Sequence, residues 1–165
     1  MKVLLILVAL VLVACGETPP PATPATSPAS GAAPADDTLA GRCLVTAGAK
    51  RQHRPDEPAK VGAKHVLVKY AGAKKARKEV LRTREEACLR AQEAHDKLAE
   101  GMSFADVVNL YSEEPGATTR EGSLGAIERS HVVPAFADAA FELKVGEVSQ
   151  VVETDFGFHV IMRTE

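Results

Sequence analysis

Residues 154–163, Thr154-Asp155-Phe156-Gly157-Phe158-His159-Val160-Ile161-Met162-Arg163, constrain the fold of this chain more than any other stretch. Phe158, Val160 and Met162 alternate with His159, Ile161 and Arg163, which is the two-residue period of a β-strand. Both sets contain large apolar side chains, so the strand is expected to be buried on both faces, as a central strand is. One of those faces also carries an imidazole. The only comparable stretch, Lys64-His65-Val66-Leu67-Val68-Lys69-Tyr70, carries a second one. Two histidines on two core strands, far apart in sequence, are the feature a functional reading has to explain.

The chain has 165 residues and a net charge of −2, which leaves room for one ordinary domain with non-globular additions and gives no indication of nucleic-acid binding. After Lys2, the run Val3–Ala14 is twelve apolar residues, too short for a bilayer span of about 20. A positive start, a short apolar run and a small residue before the break read as a secretory signal over residues 1–14. Leu12-Val13-Ala14-Cys15 resembles a bacterial lipobox, which implies cleavage before Cys15 and lipidation of its sulfur; the alternative is an ordinary signal peptide with an incidental cysteine. Residues 15–41 are rich in Pro, Ala, Thr and Ser, with no large apolar residue after Cys15 until Leu39. Such a segment buries too little surface to offset chain entropy and reads as an extended tether. An extracytoplasmic compartment permits a disulfide between the remaining cysteines, Cys43 and Cys88, but the sequence leaves open whether they pair or whether Cys88 is simply core.

Residues 42–63 show no clear period and read as a lead-in, with a possible short strand at Cys43-Leu44-Val45. Strand 64–70 follows, then a basic segment. Thr83 and Glu86 form a capping-box pattern for a helix to about Glu100, with Ala87, Ala91, Ala94 and Leu98 on its buried face and Gly101 ending it. Ser103 caps a second helix through Leu110. A short strand is expected at 124–127, a third helix from Pro134, a strand at 148–152, and a tight Asp155-Phe156-Gly157 link into the last strand. The expected class is α+β, with an antiparallel sheet and helices around one core.

Residues 64–165 resemble the parvulin (PpiC-type rotamase) family of peptidyl-prolyl cis-trans isomerases. The markers occur in family order: His65-Val66-Leu67-Val68, Gly101-Met102-Ser103-Phe104, Tyr111-Ser112-Glu113-Glu114-Pro115-Gly116, Gly122-Ser123-Leu124-Gly125, Val133-Pro134-Ala135-Phe136, Phe141–Ser149 and Thr154–Ile161. The resemblance implies an FKBP-like α+β fold with a four-stranded antiparallel sheet. It also implies isomerisation of X–Pro bonds in unfolded or secreted client proteins by a monomer, without cofactor. By position, Leu124, Val132 and Phe136 form the proline pocket, with Val132 replacing a longer residue common there. His65 and His159 are the paired core histidines, Thr154 the hydroxyl bonded to them, and Glu114 stands where relatives carry Asp or Cys. Ser123 stands where Asp is common.

Residues alone leave the histidines two roles, satisfied core side chains or parts of a site. A metal site is not expected, since close His/Cys/Glu spacing is lacking. His53 and His95 read as solvent histidines and His131 as a loop residue. Between Lys64 and Arg84 there are eight basic residues against one acid, Glu79. By resemblance to phosphoprotein-directed eukaryotic parvulins, Lys69, Lys74 and Lys75 form an anion-binding loop that selects Glu, Asp or a phosphorylated residue before proline. A solvated loop and contact with anionic lipid remain alternatives. The expected location is the cell envelope, lipid-anchored, with the periplasmic face of the outer membrane favoured by Gly16. The competing function is a holdase that grips clients in the same groove without isomerising them.

Overall fold

Two strands with apolar residues on both faces pair at the centre of the fold. They are β1 (Lys60–Val68) and β4 (Gly157–Arg163), flanked by β2 (Ser123–Glu128) and β3 (Val152–Thr154) in the antiparallel order β2-β1-β4-β3. These elements belong to a computed structural model that describes residues 38–165. The signal segment, Cys15 and the tether as far as residue 37 lie outside the described residues.

Val66, Val68, Phe158 and Val160 point to one face of the sheet and are fully buried. Each contributes about 1.5–3 kcal/mol by leaving water. They pack with Ala87, Cys88, Ala91 and Ala94 of α2 (Arg84–Ala99), Val107 and Val108 of α3 (Phe104–Tyr111), and Cys43 and Ala47 of α1 (Leu39–Ala47). On the opposite face, Val61, Ala63 and Ile161 pack with Phe136, Ala140 and Phe141 of α4 (Pro134–Glu142). The sheet is therefore sandwiched between unequal helical layers, which is the α+β arrangement expected.

The helix starts follow the capping chemistry in the sequence. Thr83 Oγ1 accepts from the Glu86 N–H at 3.2 Å while Glu86 accepts from the Thr83 N–H at 2.7 Å, a complete capping box for α2. Ser103 Oγ accepts from the Asp106 N–H at 3.1 Å at the start of α3. Pro134 occupies the first turn of α4, where its missing N–H leaves no bond unmade.

Three local readings differ. Cys43-Leu44-Val45 is not a strand; it lies inside α1, whose first turn is capped by Thr38 accepting from the Gly41 N–H at 2.9 Å. Cys43 is disulfide-bonded to Cys88, with Cα atoms 6.0 Å apart, so α1 is fastened to α2. β1 runs Lys60–Val68, earlier at both ends than 64–70, because the small residues Gly62 and Ala63 pair with β2 without showing an apolar alternation. The strand expected at 148–152 is displaced: Val148 makes a lone bridge to Met162, and β3 proper is Val152–Thr154.

Candidate active site

Antiparallel register decides where the two histidines meet. His65 stands opposite Ile161 and Leu67 opposite His159, so the imidazoles are diagonal neighbours on the face that packs against α4. Their rings stack with centroids 5.3 Å apart and planes 13° from parallel. The two Nδ1 atoms are 3.1 Å apart. At the outer ends, His65 Nε2 lies 2.7 Å from Glu114 Oε2, and His159 Nε2 lies 2.8 Å from Thr154 Oγ1. Phe136 presents an edge-on contact to both imidazoles, at 5.5 and 5.3 Å between centroids. The four residues thus form one line, Thr154–His159–His65–Glu114, drawn from β3, β4, β1 and the loop after α3.

With both imidazoles neutral, the protons along that line have one consistent arrangement. Burial pushes the His159 imidazole well below its ordinary range, and its neighbours His65 and Lys69 act in the same direction, so His159 is neutral. Burial raises the Glu114 carboxyl, but the hydrogen bond from His65 and the Arg120 guanidinium outweigh it and hold Glu114 below the usual carboxylate range. Glu114 is then ionised and only accepts. His65 therefore donates from Nε2 and accepts at Nδ1, His159 donates from Nδ1 and accepts at Nε2, and Thr154 donates its hydroxyl proton to His159. The Thr154 proton has one other acceptor, the Gly157 carbonyl at 3.4 Å, which is the longer contact. The Phe156 N–H donates to Thr154 Oγ1 at 3.1 Å and fixes the hydroxyl from the other side. Every ring nitrogen is satisfied.

Backbone geometry holds this line in place. A Cβ at Gly122 would sit 2.5 Å from the His65 carbonyl oxygen, and one at Gly157 would sit 2.3 Å from the Val68 carbonyl oxygen. Both glycines have positive φ, 73° and 133°, so the turns that bring the loop and β4 against β1 admit no side chain.

A cavity of about 590 Å³ opens over the histidines. Leu124, Val132 and Phe136, the residues expected to seat a proline, all line it. Leu124 reaches it because β1–β2 pairing skips a residue: Ala63 faces Gly125 and Lys64 faces Ser123, which leaves Leu124 bulged out. The lysines divide. Lys74 and Lys75 carry their ammonium groups 5.1 and 5.8 Å from the centroid of the Phe156 ring at the cavity edge, and Lys75 lines the cavity. Lys69 is buried, and its ammonium donates to the Lys75 carbonyl at 2.9 Å. Among the described residues it has no carboxylate within ion-pair distance.

Some lining residues escape a reading of the sequence. Phe156 lines the cavity from the tight 155–157 turn, where a large aromatic at a turn tip is the only available signal. His131 also lines it, rather than being an idle loop residue. Arg120 pairs with Glu114 and donates to the Pro115 carbonyl at 3.2 Å, and nothing in its sequence context marks it. Ser123 accepts from the Gly125 N–H at 3.2 Å, so it holds its own loop. His53 is exposed beside Glu57, whereas His95 is partly covered and bonded to Gln92 and Asp96. Among the described residues, no group of three His, Cys, Asp or Glu side chains is arranged to hold a metal ion.

A family model described as the PPIC-type PPIASE domain matches residues 47–165, most of the chain. The chain belongs to this family. It is 43% identical over 75 residues to the foldase protein PrsA of Geobacillus sp. (strain WCH70), a match covering 46% of this chain and 27% of that protein. It is 34% identical over 113 residues to the putative peptidyl-prolyl cis-trans isomerase dodo of Drosophila melanogaster, covering 66% of this chain and 68% of that protein. Among solved structures it is similar to the peptidyl-prolyl isomerase ESS1 from Candida albicans, with a TM-score of 0.60 and 28% identity over 69% of this chain and 66% of that one. The PPIase fold is thus shared with proteins of quite different overall length, and the match spans only about a quarter of the foldase relative.

Proposed function

We propose that this chain isomerises X–Pro peptide bonds in extracytoplasmic client proteins, favouring an acidic or phosphorylated residue before the proline. The observation that carries the reading is the apolar cavity lined by Phe136, Leu124 and Val132 together with Glu114, His65 and His159, the last bonded to Thr154. The barrier to rotation, about 18–20 kcal/mol, is amide resonance, and no covalent bond has to break. A planar amide carries more negative charge on its oxygen than a twisted one. An apolar seat for the ring and an ionised Glu114 near the carbonyl disfavour the planar form, so they favour the transition state differentially. His65 and His159 then act as positioning residues that aim and polarise Glu114.

Charge selection is supported by Lys69, a buried ammonium without a carboxylate partner among the described residues, and by Lys74 and Lys75 at the cavity edge. An anionic X residue would relieve that imbalance. Extracytoplasmic location is supported by the Cys43–Cys88 disulfide, since such bonds persist in oxidising compartments. The signal-like residues 1–14 and the lipobox-like Cys15 point the same way, to a lipid anchor in the envelope, on the periplasmic face of the outer membrane.

The test is the rate of isomerisation of Glu-Pro, phosphoserine-Pro and Lys-Pro peptides by the full chain. Glu-Pro and phosphoserine-Pro peptides should turn over faster than Lys-Pro peptides. Equal rates would remove charge selection, and no acceleration of any peptide would remove the isomerase reading. A holdase using the same groove is separated by the double change Glu114→Ala and Phe136→Ala: protection of clients from aggregation would survive loss of isomerisation.

A further inference from the structure

A second cavity of about 580 Å³ adjoins the first, and Lys75 lines both. This second cavity is far larger than the carboxylate or phosphoryl group of a single X residue. Lys75 has a left-handed backbone, φ 58°, which a residue with a Cβ adopts only when its surroundings enforce it. The enforcing contact is the buried Lys69 ammonium on the Lys75 carbonyl. Lys75 is therefore held where the linings of the two cavities meet.

Val80, Leu81 and Pro115 form an apolar part of the second cavity's wall, and Leu81 is 82% exposed, uncovered by any of the described residues. The neighbouring charges do not compete for that wall. Arg82 donates to the Lys69 carbonyl at 3.0 Å and to Glu113 at 2.6 Å, and Glu113 also accepts from the Lys69 N–H at 2.7 Å. With that pair closed on itself, Lys69, Lys75 and Arg77 outweigh Glu79 around the cavity.

We propose that this cavity is a subsite for the client segment that precedes the X–Pro bond, seating an apolar side chain on Val80, Leu81 and Pro115 while acidic neighbours meet the lysines. The inference rests on the reading above, in which X faces the basic loop. As a sphere, the cavity is about 10 Å across, the reach of about three extended residues, so the apolar side chain belongs two to four positions before the proline. Such a motif is accessible in an unfolded client and hidden in a folded one, which gives a preference for unfolded chains.

The test uses the full chain with blocked Glu-Pro-Phe and with extended peptides that place one leucine two, three or four positions before the proline, serine elsewhere. Leucine at one of these positions should tighten Kd by fluorescence polarisation and lower KM about fivefold against the all-serine peptide, with kcat unchanged. Leu81→Ser should abolish that gain and leave kcat/KM for the short peptide untouched, since the exposed side chain packs against little. A leucine gain that persists in Leu81→Ser, or that is absent from the unaltered chain, overturns the subsite. Failure of every peptide to isomerise counts against the isomerase reading alone, because the polarisation Kd still decides whether Leu81 holds a leucine.

Discussion

Replacing His159 with Gln should remove a defined part of the pH dependence of stability. In the folded chain His159 is buried and its imidazole is held well below the ordinary range, chiefly by burial, so it stays neutral as the pH falls through 6.5. In the unfolded chain the same ring protonates near pH 6.5. The unfolded state then binds the extra proton, so stability rises with pH in this window and is lost on acidification. Between pH 7.5 and 5.5 the unfolded-state binding factor grows tenfold, which corresponds to about 1.4 kcal/mol for this single ring. Glu114 does not blur the result: its carboxyl is lowered in the fold, so the stability it confers is lost only as pH falls below about 4.3 and through its folded value. Urea unfolding at pH 7.5, 6.5 and 5.5 measures both chains. The unaltered chain should lose about 1.4 kcal/mol more than His159→Gln over that range. Equal slopes would mean that His159 titrates normally in the fold and that the neutral line of hydrogen bonds is wrong.

Reducing the Cys43–Cys88 bond, or replacing both cysteines with Ala, releases a 45-residue loop and should lower stability by up to about 4 kcal/mol, read as a fall in the urea midpoint; an unchanged midpoint refutes the bond. Arg120→Met removes one of the charges that lower Glu114, so the acid limb of the kcat/KM profile should move to higher pH, and an unmoved limb would show that the pair does not tune the carboxyl. Gly122→Ala should destabilise by more than about 2 kcal/mol in thermal unfolding, because its Cβ meets the His65 carbonyl and its φ is left-handed; a neutral result would mean that the turn relaxes freely. Isomerisation rates in H2O and D2O should match, and a clear isotope effect would require a proton in flight that the line of hydrogen bonds does not supply.

The parts of the fold that a reader recovers from sequence are those with local causes. Thr83 with Glu86, and Ser103 before Phe104, announce helices because their side chains satisfy backbone donors within one turn. β4 is legible because its alternation is uninterrupted. α1 is not, because its partners are distant: a short Ala- and Gly-containing stretch after a Pro-rich segment becomes a helix against α2, where Cys88 is 45 residues away. The same division holds in the site. His65, His159 and Thr154 sit on strands, so their face is set by period and register. Arg120 and Phe156 act through turns, where direction depends on tertiary contacts that no periodicity encodes.

The line of hydrogen bonds also bears on how this site can be buried and still serve the proposed selection. His65 uses both nitrogens inside the line, one toward His159 and one toward Glu114, so it presents no free proton to the cavity. In the proposed mechanism Glu114 is then the member whose charge faces a bound amide, and its pairing with Arg120 keeps that charge fixed in position. On that proposal the catalytic contribution is one of placed charge and shape, which needs rigidity more than titration. Rigidity is supplied by the sheet: the same register that stacks the imidazoles places Ile161 against α4, and α4 returns Phe136 edge-on to both rings. Loosening that packing would disturb the proline seat and the carboxylate together. The proposed selection among clients then falls to a part that does not carry this constraint, and the Lys74–Leu81 loop, largely exposed and outside the sheet, is such a part.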